Sequence, residues 1–346
     1  MIAEGRHQGA QLAIFKGDQL ALALCAGTDV ATGKPIDFDD LFGIRSTTKA
    51  VTGLVMARLF EKGLFKYEDA VAKHWPAFGQ NGKGNISIAM VLAHQAGIPR
   101  VAVPLARMGD LVFTARALEA AKPEWTPGDQ NGYHPLSGGM ICDELARRWT
   151  GKSIAVLLLE GLAREAGASN LWIGLPRSQA GRFRPIAVLD GKVTAERAAF
   201  SDFVNSVDGM AMPLSAVCGV ANAIDLARFF NLVSLSGDGP GGRQLSQETL
   251  ALIGAPRNPE GMIDLNLRWP VRWGLGVITG ATPSIFGATP RPWAFGHAGG
   301  GANVAWGDPR LKISVAFLCN GMRTGGADWE RYRILGDLVY RAMESR

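Results

Sequence analysis

The sequence predicts a mixed α/β (α+β) fold in which one sheet is built from both ends of the chain and a helical domain is inserted between them. Two observations carry this. Strand-like runs cluster near the amino terminus and again in the last third, while residues 64 to about 235 show mainly helical periodicity. The economical division assigns 1–63 and 236–346 to the sheet domain and 64–235 to the helical one, with no internal repeat or low-complexity tract.

Taken in order, "GAQLAIFKGDQLALALCAG" reads as two strands joined at Lys16-Gly17-Asp18, a hairpin signal. From Thr48 the apolar residues Val51, Leu54, Val55, Leu59 and Phe60 recur at helical spacing, and Gly63 reads as the stop. The stretches "SIAMVLAHQAGIP", "SGGMICDELARRW", "SIAVLLLEGLAREAG" and "AIDLARFFNLVSL" are helical, several opening at Ser, Asp or Asn. Farther on, "VRWGLGVITG", "WAFGHAGGGANVAWGD" and "LKISVAFLCNGM" are β-branched, aromatic or Gly-bearing runs between turn signals and read as strands. The chain closes on an amphipathic helix, "DWERYRILGDLVYRAMES".

At 346 residues, 47% hydrophobic and 19% charged, the chain can bury a large core. The net charge of +5 is spread, with no Lys/Arg run longer than two, which argues against nucleic acid as a partner. Cys25, Cys142, Cys218 and Cys319 stand far apart among apolar neighbours, which fits buried free thiols. Neither a signal-peptide core nor a run of about 18 apolar residues is present, so a cytoplasmic protein with no membrane partner is expected.

Chemistry enters at "FGIRSTTKAVTGLVMARLF", where Ser46 and Lys49 lie one helical turn apart. A serine needs a base to become a nucleophile, and a lysine whose pKa is depressed by an apolar helix can be one. The same residues also fit an N-cap serine with an outward-snorkelling lysine, and this motif alone leaves both readings open. There is no G-x-S-x-G elbow. The Gly27–Lys34 stretch is one residue too long for a phosphate loop and is followed by Pro35. No histidine pair has metal-ligand spacing, so no metal or cofactor is expected.

"STTK", "VLAHQAGIP", "WTPGDQNGYHPLSGGMICDELARRWTGKSI", "LWIGLP" and "FGHAGGGANVAWGDP" occur in an order that resembles the serine β-lactamase-related hydrolases. The likeness runs from about residue 9 to residue 323 and is nearest the class C-like carboxylesterases called family eight. It implies a β-lactamase/penicillin-binding-protein-like fold: an antiparallel sheet flanked by helices, a helical second domain and an active site in the cleft between them. Residue by residue it implies Ser46 as the acylated nucleophile, Lys49 as its partner and Tyr133 as an acid/base, a phenol whose pKa a nearby ammonium would lower. It pairs the N–H groups of Ser46 and Gly300 as an oxyanion hole and assigns His297, Gly299 and His134 to substrate binding, His297 as a hydrogen-bond donor to Tyr133 or to substrate. His94 reads as a structural histidine fixing its loop.

Two departures stand out: Pro135 where penicillin-recognising relatives have Asn, and His297 where lysine is common. Both count against efficient β-lactam or peptide hydrolysis and leave acylation of Ser46 intact. The tryptophans Trp125, Trp269, Trp273, Trp293 and Trp306 fit either an apolar acyl pocket or ordinary core packing. The expected activity is therefore hydrolysis of a small-molecule carboxylic ester through acyl-Ser46. Acyl transfer to an alcohol, amide or β-lactam hydrolysis, and a catalytically silent scaffold are the alternatives, and oligomeric state is not legible.

Overall fold

The hairpin forms as expected: Gly9–Lys16 (β1) and Gln19–Gly27 (β2) turn at Gly17, which takes φ +62°. Helix α1 (Thr48–Glu61) follows, then α2 (Ser137–Thr150), α3 (Ala195–Asn205) and α4 (Ala223–Ser234). Strands β3 (Ile278–Gly280), β4 (Arg291–Gly299), β5 (Asn303–Asp308) and β6 (Ile313–Cys319) precede the closing helix α5 (Ala327–Glu344). The computed structural model describes residues 2, 5, 7–189, 194–301, 303–323 and 327–344.

The six strands form one antiparallel sheet in the order β3-β4-β5-β6-β1-β2, so the two chain ends meet where β1 pairs with β6. The register places Ile14 opposite Val315 and Ala13 opposite Ala316. Successive residues then serve opposite faces. Ile14, Val315 and Phe317 pack with Leu335, Val339 and Tyr340 of α5, whereas Ala13, Phe15, Ala316 and Leu318 join Phe229 and Phe230 of α4 in the main core. A sheet buried on both faces explains why β1 and β6 read as nearly continuous apolar runs. Helix α4 is also pinned by a polar contact, Ser314 Oγ donating to Asn231 Oδ1 at 2.7 Å. It thus covers the sheet, although it comes from the stretch that the sequence pattern grouped with the helical middle.

Helix α1 is buried from Thr48 through Ala57 and lies in the main core with α2 and α4 residues. Its apolar residues surround it on all sides, as for a helix with no solvent face. Gly63 stops it with φ +72°, and Gly151 ends α2 with φ +73°.

Three stretches differ from the pattern-based expectation. "SIAMVLAHQAGIP" is helical only over Ile88–Leu92, because His94 adopts φ +60°. "SIAVLLLEGLAREAG" breaks at Gly161 into Ile154–Glu160 and Leu162–Glu165. In "VRWGLGVITG" only Ile278–Gly280 is strand, since Gly274–Val277 makes a tight turn with Gly276 at φ +79°. A second sheet, in the order Leu171–Ile173, Gly219–Ala221, Leu41–Gly43, Phe183–Arg184, lies mostly within the supposed helical zone. Strands of two or three residues are too short to show a period of two.

Asn303 joins the two sheets. Its Nδ2 donates to the Gly43 carbonyl at 2.8 Å and its Oδ1 accepts from Cys319 N–H at 2.7 Å, all out of contact with solvent. Asn303→Ala leaves both buried backbone groups unpaired and is expected to lower the unfolding free energy by about 2–4 kcal/mol, read from urea midpoints.

Candidate active site

The chain leaves the Leu41–Gly43 strand, ties Ile44 N–H to the Gly219 carbonyl at 2.8 Å, and enters a single 3-10 turn, Arg45–Thr47, directly before α1. Ser46 is in this turn and is not the helix N-cap, which is Thr47. Arg45 holds φ +51°, a left-handed conformation that costs a non-glycine residue on the order of 1–2 kcal/mol. Its buried guanidinium offsets the cost by donating to the Val204 carbonyl at 2.9 Å and to Asn205 Oδ1 at 2.5 Å. Thr48 Oγ1 donates to the Arg45 carbonyl at 2.5 Å and accepts from Gly219 N–H at 2.9 Å, which fixes the turn from below.

The Ser46 hydroxyl is placed between two groups: Lys49 Nζ at 3.2 Å and the Tyr133 hydroxyl at 2.5 Å. Lys49 also donates to the Ala216 carbonyl at 2.9 Å, so it points into the site and does not snorkel outwards. Burial without a counter-ion pushes its amine down to about 7. A neutral Lys49 reverses the contact with Ser46: the hydroxyl donates and the amine accepts.

The expectation for the Tyr133 pKa fails. Tyr133 is half-buried by area, yet its phenol oxygen is enclosed, and burial raises its pKa more than the hydrogen bond to Ser46 lowers it. A nearby lysine that is itself half-neutral supplies little charge to lower it. Tyr133 is therefore a neutral phenol that donates to Ser46, and Lys49 is the group poised to take a proton.

Asp264, fully buried, sets the position of Tyr133 and was missed in the sequence. Its Oδ1 accepts from the backbone N–H of Tyr133 at 2.9 Å, Asn266 at 3.0 Å and Leu267 at 2.9 Å. Its Oδ2 accepts from Trp273 Nε1 at 3.1 Å, and the Trp273 ring stacks on Tyr133 with centroids 5.8 Å apart and planes 12° apart. Asn266 Nδ2 closes the loop on the Tyr133 carbonyl at 2.9 Å. The only signal in the sequence was an Asp-Leu-Asn turn in an aperiodic stretch.

The two histidines expected at the substrate differ in what the structure leaves them. His134 is a correction: it has no solvent exposure, its Nε2 accepts from Ile98 N–H at 3.0 Å and its Nδ1–H donates to the Gly132 carbonyl at 2.6 Å. Both nitrogens are used in folding the loop, and nothing remains for a substrate. His297 faces Tyr133 and Trp273, with centroids at 6.4 and 5.9 Å, but its Nδ1–H donates to the Ala298 carbonyl at 2.6 Å. Burial, with Lys49 nearby, lowers its pKa to about 3, so its buried Nε2 is an acceptor and not the expected donor. His94 has the structural place expected of it, accepting from His134 N–H at 3.1 Å beneath Trp273. Of the tryptophans, Trp273 packs against the site, Trp306 is core, and Trp269 and Trp293 are exposed.

Strand β4, second from the sheet edge, brings Gly299 against the nucleophile turn. A Cβ at Gly299 would lie 2.2 Å from the Ile44 carbonyl oxygen, so only glycine permits this approach. Thr47 Oγ1 bonds the His297 carbonyl at 3.2 Å, and the exposed Gly300 follows at the strand end with open space beside its Cα. Gly299 thus serves the backbone fit. Among the described residues, no cluster of His, Cys, Asp and Glu could hold a metal ion, and no helix is long and apolar enough to cross a membrane.

Two outcomes follow from this geometry. Asp264→Asn sets an amide N–H against the Trp273 donor and should cost about 1–3 kcal/mol of stability in urea unfolding; adding Trp273→Phe removes the clashing donor and should recover part of it. Lys49 titrates near 10.5 when unfolded and about 7 when folded, so between these values the unfolded chain binds the extra proton. Stability gained from deprotonating Lys49 therefore rises with pH across that window, and its burial costs most below pH 7. Lys49→Met should stabilise the protein by about 1–2 kcal/mol at pH 6, a gain that shrinks towards pH 10 in unfolding titrations.

Comparison with known proteins agrees with this architecture. The family described as Beta-lactamase matches residues 1–338. "Esterase/beta-lactamase LipL" of Mycobacterium tuberculosis is 30% identical over 342 residues, covering 91% of this chain and 77% of the relative. A crystal structure of a family VIII carboxylesterase superposes with a TM-score of 0.84 at 28% identity, over 98% of this chain and 94% of that one. EstA from Arthrobacter nitroguajacolicus Rue61a gives 0.86 at 28% identity, over 99% and 94%. With its sheet closed by both chain ends and this extent of match, the chain belongs to the Beta-lactamase family.

Proposed function

We propose that the protein is a serine esterase that cleaves small carboxylic esters through an acyl-Ser46 intermediate. The observation that carries this is the Ser46 oxygen held between the Lys49 amine at 3.2 Å and the Tyr133 hydroxyl at 2.5 Å. Neutral Lys49 takes the hydroxyl proton as Ser46 Oγ attacks the ester carbonyl. The N–H groups of Ser46 and Gly300 hold the oxyanion, and the start of α1 adds its dipole. Tyr133 gives its proton to the departing alkoxide, and the Lys49 ammonium, 4.9 Å from the phenol ring centroid, restores it. Water then attacks the acyl-enzyme and releases the acid.

Ester is favoured over β-lactam because Pro135 carries no side-chain donor and neutral His297 offers no positive charge to a carboxylate. The family VIII carboxylesterase and the esterase/β-lactamase relative support the same reading.

Hydrolysis of p-nitrophenyl butyrate, with intact mass spectrometry, tests the proposal. Wild type should turn over and carry an acyl adduct on Ser46. Ser46→Ala and Lys49→Met should lose on the order of 10³-fold or more in kcat, and Tyr133→Phe about 10²–10³-fold. The acylation rate should climb as pH rises through about 7, where Lys49 becomes neutral. Full activity in Ser46→Ala would overturn the mechanism. Product appearing as a new ester when an alcohol is supplied would make the enzyme an acyltransferase, and turnover of a chromogenic cephalosporin would extend it to β-lactams.

A further inference from the structure

A small cavity of about 20 Å³ adjoins Lys49. It has room for one water molecule, which needs roughly 10–15 Å³. Its polar lining is Lys49, Thr52, His94, Cys142 and Ser215, all of them buried. Of the three residues of the catalytic cluster, only Lys49 touches it.

Two donors in the cavity wall have no acceptor among the described residues. As a neutral amine Lys49 carries two N–H groups and one lone pair. The lone pair accepts from Ser46 at 3.2 Å and one N–H donates to the Ala216 carbonyl at 2.9 Å, which leaves the second N–H over. His94 is neutral, because burial holds it well below the ordinary histidine range. Its Nδ1 accepts from His134 N–H at 3.1 Å, so its proton is on Nε2. That Nε2, unlike Nε2 of His297, is not sealed over by protein atoms.

Two acceptors complete the lining. Thr52 Oγ1 donates its proton to the Ser215 carbonyl at 2.6 Å, and Ser215 Oγ donates to Asp143 Oδ1 at 3.2 Å. Each hydroxyl oxygen keeps lone pairs for another donor. A water molecule, with two lone pairs and two hydrogens, matches two donors and two acceptors.

We infer that one ordered water fills this cavity, accepts from Lys49 and His94, and keeps the lone pair of the amine turned to Ser46. His94 is then a positioning residue that acts through the water and the amine. Its Nε2–H occupies one lone pair of the water, and the hydrogens of the water go to Thr52 and Ser215. None is left to compete with Ser46 for the lone pair of Lys49. When Lys49 is protonated, the same water accepts from the ammonium and stabilises its charge. The water site stands without the esterase reading, and its effect on acylation rests on that reading.

The first test is a crystal structure of the wild-type protein. It should show a density peak about 2.7–3.2 Å from both Lys49 Nζ and His94 Nε2, and an empty cavity would overturn the inference. Gly138→Ala then fills the space: a Cβ there has the Val91 carbonyl oxygen, at 3.6 Å, as its nearest neighbour, so the methyl fits without backbone movement. Cys142→Val adds bulk one helical turn along the same wall and serves if the first variant misfolds. Losing a hydrogen bond to the ammonium should lower the Lys49 titration midpoint by about one pH unit, read by ¹³C-lysine NMR without substrate. A structural defect alone would leave that midpoint in place, so an unchanged midpoint in the folded variants overturns the inference. Acylation by p-nitrophenyl butyrate should show the same shift in its pH profile. If no ester is turned over, the density peak and the NMR shift still decide on the water, and only the esterase reading fails.

Discussion

Everything at this site depends on one buried amine without a counter-ion. Lys49 is 6% exposed on a helix packed on all sides, and no carboxylate contributes to its electrostatics, so desolvation alone shifts it towards neutrality. A salt bridge would have restored the charge and removed the base. The surrounding histidines, His94, His134 and His297, are each kept neutral chiefly by burial. The site thus gathers neutral donors and acceptors around one amine that burial brings down to about 7.

The rest of the fold keeps that arrangement in place. A lysine facing an apolar core would tend to unfold or rotate its helix, but the carbonyl of Ala216 and the bond from Thr52 Oγ1 to the Ser215 carbonyl at 2.6 Å lock α1 against the 215–219 segment. From the other side, Gly299 allows β4 to touch the nucleophile turn, and Asp264 fixes the backbone of Tyr133. Lys49 and Tyr133 meet at one serine oxygen, and the segments that carry them are held by buried hydrogen bonds whose loss leaves unpaired groups.

How much of this was legible in the sequence varies with how local the cause is. The hairpin at Gly17, the helix from Thr48 and the Ser46–Lys49 pair come from periodicity and i,i+3 spacing, which are local properties. Tyr133 was legible through the ordered motifs that resemble the family. Asp264 was not, because its partner backbone lies 131 residues away and no periodic pattern marks either segment. The part played by His134 and the hydrogen-bonding sense of His297 were not legible for a related reason: their tautomers are set by the carbonyls of Gly132 and Ala298, and only the fold shows which nitrogen is already taken. The direction of the Tyr133 shift also depends on the balance of burial against charge, which a residue list does not contain.

The most direct test of this account is the ionisation of Lys49 itself, followed by NMR of the Cε carbons in protein labelled with ¹³C-lysine, with the Lys49→Met spectrum used for assignment. The account predicts one resonance that titrates near pH 7, well apart from the remaining lysines. A Lys49 resonance that titrates with the others, near 10.5, would show that the amine is charged at neutral pH and would contradict its role as the base for Ser46.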